Sequence, residues 1–520
     1  MPLFQKAMAA GLTAMAGLVV APSPANATET AGHSPGTDLD RYHRQQIHWT
    51  QCHPGTGDSA GGALECANVT VPLDYSDSDG RTITVAISRL KASDTARRIG
   101  AMVLNNGGPG GQTLDRPPQF REAMKDAGGR YDLIGMAPRF VGPSTPLDCG
   151  WPTGTWIRSA GESRAAFDRV VALQRSLAER CRQRHADVLP FVTTRNTARD
   201  MDVIRAALGE RRISYLGYSY GTYLGAVYAQ MFPGRTDRLV LDGPIDPRRY
   251  SPQLLKGTED ANDHALRDWA AWAARRHDTF NLGHTTGRVL RTVRRIIRAS
   301  AKQPLEIHNP QQSDRPYRID DSHVAGLVWT RLVDDRDAAR TVLADTVKVL
   351  NAAASTGRPA QPTPKFADSL ATMLTGAKSS TGSAQAAILC GDVAALRDPE
   401  RYWRDVQQSR SRHPVTGPLA NNITPCAFWP HTPRERPTDI ANHVPALIVA
   451  ATGDPRTTYS NGAALRRLMT GSRLLTLRGA NVHGVYSRYG NSCVDDHVSA
   501  YLHTGALPAN GLTCANQPLR

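Results

Sequence analysis

The chain has 520 residues, 40% of them apolar and 21% charged, with a formal net charge of +15 at pH 7. That balance excludes an intrinsically disordered protein and suffices for one large core or two moderate ones. The positive charge does not indicate nucleic acid, because the arginines lie along amphipathic stretches without a nucleic-acid motif; weak binding to an anionic cell envelope stays open.

Residues 1–27, "MPLFQKAMAAGLTAMAGLVVAPSPANA", read as a Sec-type signal peptide: Lys6, an apolar stretch over 7–21, then Ala25-Asn26-Ala27 as cleavage signal. The apolar stretch is short for a bilayer and no later one is long and free of charge, so a secreted protein without a membrane span is expected. Eight cysteines and no C-x-x-C fit an oxidising compartment and suggest neither a zinc ribbon nor a redox motif. Eight cysteines allow about 105 pairings, among which the sequence alone does not choose; pairing of sequence neighbours is the expectation, Cys52 with Cys66, Cys149 with Cys181, Cys390 with Cys426 and Cys493 with Cys514.

G-x-S-x-G occurs twice. In "GDSAG", 57–61, turn formers stand on both sides, and Ser59 reads as loop. Farther on, "RTITVAISRL", "AMVLNNGGPGG" and "YDLIGM" read as strands. "TARDMDVIRAALGE" reads as a helix with Thr197 as cap and Gly209 as stop. In "ISYLGYSYGTYLGAVYAQMFP" the second match sits between a β-prone run and a helix whose Leu224, Val227, Tyr228 and Met231 share a face. "RLVLDGP" is another strand. From 250 to 441 the texture changes to long amphipathic helices such as "GRVLRTVRRIIRAS", with Trp269, Trp272, Trp329 and Trp403 in the block. Strand "PALIVAATGDP", helix "NGAALRRLM", strand "SRLLTL" and helix "VDDHVSAYLHTG" close the chain. This alternation predicts an α/β fold with a mostly parallel sheet, in two core parts over 28–249 and 442–520, and a helical cap inserted over 250–441.

A serine hydroxyl attacks only when a base takes its proton, and that base needs an acid to fix its tautomer. Ser219 lies at a strand-to-helix elbow, where Gly217 and Gly221 permit close approach. Asp454 follows one later strand and His483 the next. The order Ser, Asp, His is that of the α/β-hydrolase fold, with the cap inserted before the acid. The oxyanion formed on attack needs preorganised donors. The amide of Tyr220 is one, and "NNGGPGG" supplies the other, with Gly107 preferred to Gly108.

The stretches "NNGGPGG", "GYSYGTYLGAVYAQMFP", "LDGPIDP", "GDPRT" and "VHGV" together resemble the secreted tripeptidyl aminopeptidases of actinomycetes, in the proline iminopeptidase group of α/β-hydrolases. The resemblance covers nearly all of the mature chain. It implies Ser219, Asp454 and His483 as the triad, release of short peptides, often tripeptides, from free amino termini, and no metal or cofactor. It also implies Asp392, in "ILCGDVAAL", as a carboxylate that could bind the substrate's amine. The chain departs from the pattern in "APRFVGPS", with Ala137 for an aspartate, Phe140 for a glycine and Pro143 where arginine is frequent, and in Gln112 for a serine. An esterase or amidase of the same fold, or a catalytically silent binding protein, are the alternative readings.

Overall fold

A computed structural model describes residues 39–52 and 64–516, in one unit that begins at Leu39. The signal peptide and the Ser59 loop lie outside the described residues. Seven strands precede residue 250: β1 Thr50–Gln51, β2 Leu64–Pro72, β3 Thr82–Leu90, β4 Gly100–Asn105, β5 Tyr131–Met136, β6 Ile213–Tyr218 and β7 Thr236–Asp242. A short pair follows, β8 Leu305–Ile307 and β9 Tyr317–Ile319, and then β10 Leu447–Ala451, β11 Arg473–Arg478 and β12 Leu512–Ala515. Ten strands form one sheet in the order β1-β2-β3-β5-β4-β6-β7-β10-β11-β12. The pairings from β1 through β3 to β5 are antiparallel, and all the others are parallel.

The central strands β4, β6 and β10 are buried at every position. Their continuous apolar runs suit a parallel sheet covered on both faces, where no side of a strand meets water. The helix after β6, Tyr220–Met231, is accordingly buried from Tyr220 to Ala229. The helix expected to start at Thr197 starts a turn earlier, at Thr194, because Thr193 is its cap and its side chain accepts from the Asn196 amide. Gly209 follows that helix with φ 74°, the left-handed turn that glycine adopts freely.

The block between β7 and β10 carries its own apolar cluster, built on Trp269, Val293, Ile296, Leu327 and Leu343. It is not wholly helical, since β8 and β9 form an antiparallel pair within it. Its later helix Ser379–Asp392 packs instead with the main core, through Ala387, Ile388 and Leu389. A stretch before residue 164 leans the other way: the amides of Gly154, Ser159 and Ala160 donate to the carbonyls of Thr372, Ser322 and Pro418. Ile157 is thereby held against the inserted block's cluster, while Trp156 packs in the main core.

All four cysteine pairs are bonded in sequence-neighbour order, closing separations of 14, 32, 36 and 21 residues. Such bonds are typical of oxidising compartments, and no described helix is long and apolar enough to cross a membrane. The four disulfides are consistent with an extracellular protein.

Candidate active site

Ser219 stands between the end of β6 and the first turn of the following helix, with φ 55° and ψ −123°. A side chain in that region is strained, and the strain turns the hydroxyl outward at the helix start. The elbow demands glycine on either side. A Cβ at Gly217 would lie 2.6 Å from the Gly221 carbonyl, and one at Gly221 would lie 2.7 Å from Asn105 Oδ1. The Ser219 amide donates to the Asp242 carbonyl at 2.9 Å.

Asp454, 1% exposed, follows β10. Its Oδ1 accepts from the amides of Arg456 at 2.7 Å and Thr457 at 3.0 Å, and its Oδ2 accepts from Thr457 Oγ1 at 2.9 Å. His483 Nδ1 stands 2.9 Å from Oδ2 and 3.1 Å from Oδ1. A carboxylate facing Nδ1 places the ring proton there and leaves Nε2 as the basic nitrogen. The imidazole rests on Gly243, where a Cβ would come within 3.1 Å of its Cε1. Its backbone amide donates to the Val333 carbonyl, so the inserted block helps to fix the histidine.

Acid and imidazole are thus bonded, and the serine stands at the end of β6, separated from β10 by β7. The Ser219 hydroxyl makes no hydrogen bond among the described residues; it lines a cavity instead. Catalytic contacts of this kind often tighten only when substrate is bound.

The second oxyanion donor needs correction. The Gly107 amide donates to Asn105 Oδ1 at 2.9 Å and is not available to a substrate. Gly107 serves packing, since a Cβ there would lie 2.3 Å from the Tyr218 carbonyl and 3.0 Å from Ser219 Cβ. Gly108 lines the cavity, and its amide has no acceptor among the described residues. The Tyr220 amide opens its helix and also has no acceptor there.

Asp392 does not line the cavity either. It is buried behind it, accepting from the Thr194 amide at 2.6 Å, from the Thr194 hydroxyl, and from Tyr250 Oη at 2.8 Å. Burial pushes its carboxyl up to about 6. With both oxygens engaged it positions Tyr250, which does line the cavity. The carboxylate on the wall is Asp246, which accepts from the Arg248 amide at 3.0 Å.

A family described as TAP-like protein matches residues 413–514. Tripeptidyl aminopeptidase of Streptomyces lividans is 32% identical over 537 residues, covering 97% of this chain and 95% of that protein. The chain belongs to the tripeptidyl aminopeptidase family of α/β-hydrolases. Serine protease Hip1 of Mycobacterium tuberculosis is 29% identical, covering 90% of this chain and 91% of Hip1. Carboxylesterase B of the same species is 30% identical, covering 99% of this chain and 98% of that protein. This family member is a serine hydrolase related to peptidases.

Asp242 is the residue of the site that motif reading missed. Its carbonyl holds the Ser219 amide, while its Oδ2 accepts from Val485 at 2.8 Å and Tyr486 at 2.7 Å, just past His483. One buried residue therefore ties the nucleophile's turn to the histidine's loop, and "LDGP" at a strand end was the available signal. Burial pushes its carboxyl up to about 7, and Oδ1 has no partner among the described residues. A folded value above the unfolded value of 3.8 means that the native state binds the proton more tightly. The group's contribution to stability is present at low pH and is lost as pH rises through about 7. Asp242→Asn keeps an acceptor for both amides without the charge. Its unfolding midpoint in urea is expected to match the wild type's near pH 4, to exceed it progressively as pH rises from about 4 to 7, and to keep a constant lead above that; a difference independent of pH would contradict the assignment.

Proposed function

We propose that this family member is a secreted serine exopeptidase that releases short peptides, tripeptides among them, from free amino termini. Ser219 attacks the carbonyl, His483 takes and returns the proton through Nε2, Asp454 orients the imidazole, and the Tyr220 and Gly108 amides receive the oxyanion. Water then releases the acyl group. What supports this reading is the bonded Asp454–His483 pair, whose imidazole rests on Gly243 next to the Asp242 that holds the Ser219 amide, together with a strained serine that lines a cavity.

The exopeptidase part is supported by the cavity wall. The block over 250–441 acts as a cap and contributes Tyr250, Leu254, Leu255 and Trp329, which limit how much chain fits beyond the scissile bond. Asp246 offers a carboxylate for a cationic amino terminus, the role expected earlier for Asp392. The names of the relatives Tripeptidyl aminopeptidase and serine protease Hip1 favour peptides as substrates; the relative named Carboxylesterase B keeps ester hydrolysis as the second reading. Adhesion to an anionic envelope is supported by Arg288, Arg291, Arg294, Arg295, Arg298 and Lys302, which line a separate groove along the helix Thr286–Lys302.

Matched peptides with free and acetylated amino termini, incubated with the protein and weighed by mass spectrometry, test this function. Cleavage a fixed two or three residues from the free end, abolished by acetylation, is expected. Cleavage indifferent to acetylation, or faster turnover of simple esters than of any free-amine peptide, would overturn it.

A further inference from the structure

The wall of the Ser219 cavity is unusual in its charge. It carries Asp246, Lys256, Arg249 and Arg456. Lys256 is neutralised by Asp405, whose carboxylate lies 2.7 Å from Nζ. For Arg249 and Arg456, no carboxylate comes within ion-pair distance among the described residues.

Arg456 stands two residues past Asp454 and three before Tyr459, where the helix Tyr459–Leu468 begins. Its guanidinium lies flat on the Trp329 ring, 3.4 Å from the centroid. Nη2 donates to the Trp329 carbonyl, and Nη1 reaches Asn262 Oδ1 only at 3.4 Å. Burial pushes this guanidinium down to about 9, so it is still charged at neutral pH. Buried cations are normally paired or saturated with acceptors. The two buried arginines among the described residues, Arg139 and Arg158, obey that rule. Arg139 is bonded through two nitrogens to Asp200. Arg158 has no carboxylate, yet it donates to the Thr155, Ile157 and Met373 carbonyls and to Thr153 Oγ1, and it is not on the cavity wall. Arg456 is half-buried, has no carboxylate partner among the described residues, and lines the chamber that holds the nucleophile.

Arg249 lines the same chamber, held across Gly257, where a Cβ would lie 2.2 Å from its Nη2. Gly257 has φ 85°, so no other residue fits easily beneath that guanidinium. Half-buried Arg456 and exposed Arg249, neither with a carboxylate partner among the described residues, thus line one chamber with a single carboxylate, Asp246. Guanidinium binds carboxylate through paired hydrogen bonds, and a desolvated site strengthens them.

We infer that Arg456, assisted by Arg249, forms a subsite for a carboxylate of the substrate peptide, so that the enzyme selects peptides carrying an anionic group near the scissile bond. The inference rests on the peptidase reading given above. The carboxylate has two possible sources, an aspartate or glutamate side chain in the released segment or the carboxyl terminus of a very short substrate.

Two measurements test it. In the first, kcat/KM is compared for hexapeptides of alanine with glutamate or glutamine at each of the first three positions, and for alanine tetrapeptides with free or amidated carboxyl termini. At least one glutamate peptide, or the free-carboxylate tetrapeptide, is expected to exceed its neutral counterpart about tenfold or more. The ratio should fall near one in Arg456→Gln and drop partly in Arg249→Gln and in Arg456→Lys, since lysine keeps the charge but not the paired hydrogen bonds. A ratio cancels any general loss of activity in a variant. The arm that shows the preference identifies the source of the carboxylate.

In the second, binding of the tripeptides Ala-Glu-Ala, Glu-Ala-Ala and Ala-Ala-Glu, each amidated, and of Ala-Ala-Ala with a free carboxylate, is measured by calorimetry on Ser219→Ala, with and without Arg456→Gln. This readout needs no turnover, so it separates the subsite from the peptidase reading. Tighter binding of a carboxylate ligand than of its neutral counterpart, lost with Arg456, supports the inference even if no peptide is cleaved. Equal handling of charged and neutral ligands by the wild-type cavity, or a preference that survives Arg456→Gln, overturns it.

Discussion

Replacing Ser219 with alanine is expected to lower kcat/KM on a free-amine peptide by about a million-fold, with no loss of stability. The Ser219 hydroxyl makes no hydrogen bond among the described residues, so its removal leaves no buried partner unsatisfied. His483→Ala should cost about as much activity as Ser219→Ala, because either change abolishes the activated nucleophile. Asp454→Asn should cost less, roughly ten-thousand-fold, since an imidazole without its acid still visits the productive tautomer. A fluorophosphonate probe should label the wild type and fail on Ser219→Ala. Retention of more than about a hundredth of the activity in Ser219→Ala would move the nucleophile elsewhere.

The largest expected effect on stability comes from Arg139→Ala. Arg139 and Asp200 are both fully buried, joined through Nε at 2.7 Å and through Nη2 at 2.5 Å. The guanidinium also donates to the carbonyls of Leu73, Phe191 and Pro72, and Tyr75 Oη donates to Asp200 Oδ1 at 2.8 Å. Removing the arginine leaves a buried carboxylate and three carbonyls without their donor, at a cost of about 3–5 kcal/mol. Urea unfolding monitored by far-UV circular dichroism measures it. Arg139→Met combined with Asp200→Leu, which removes both charges and keeps volume, is expected to recover most of the loss. A single-variant cost below about 1 kcal/mol would show that the pair is as weak as an exposed one.

Arg139 lies in "APRFVGPS", the stretch that departs from the family pattern, and the structure accounts for part of that departure. Phe140 keeps the left-handed backbone that glycine adopts freely, φ 65°, while its ring is buried at 2% exposure. The strain costs of order 1 kcal/mol and the burial of a phenyl ring returns more than that. Ala137, fully buried, packs with Ala86 and Leu114 in a small apolar cluster, where a charged aspartate would have no place. Gln112, the other departure, reaches the same loop: a Cβ at Gly142 would lie 2.4 Å from its Oε1. For Pro143 nothing in the structure explains the change.

The triad candidates were legible because each sits at a position that local rules mark: a glycine-flanked turn after an apolar run, an Asp-Pro after a strand, a histidine before glycine after the next strand. Strand β2 was missed because its burial alternates irregularly and it follows turn-forming sequence. Strand β12 was missed because four residues carry too little pattern. Gly107 was preferred over Gly108 because sequence shows two adjacent glycines and nothing of the Asn105 side chain that claims one of the amides. Asp392 was offered for substrate on the family resemblance of its segment, which carries nothing of Thr194 and Tyr250, 198 and 142 residues away, that enclose it.

By itself the sequence determined the α/β alternation, the elbow and the order of the serine, aspartate and histidine candidates, because these follow from short-range sterics, hydrophobic period and spacing along the chain. Only the tertiary structure decided which amide is free for an oxyanion, which carboxylate faces the cavity, and which arginines are left without a counter-ion. Those properties depend on partners that approach from distant segments, and desolvation by such neighbours, not residue type, sets whether a polar group is spent on the fold or kept for a ligand.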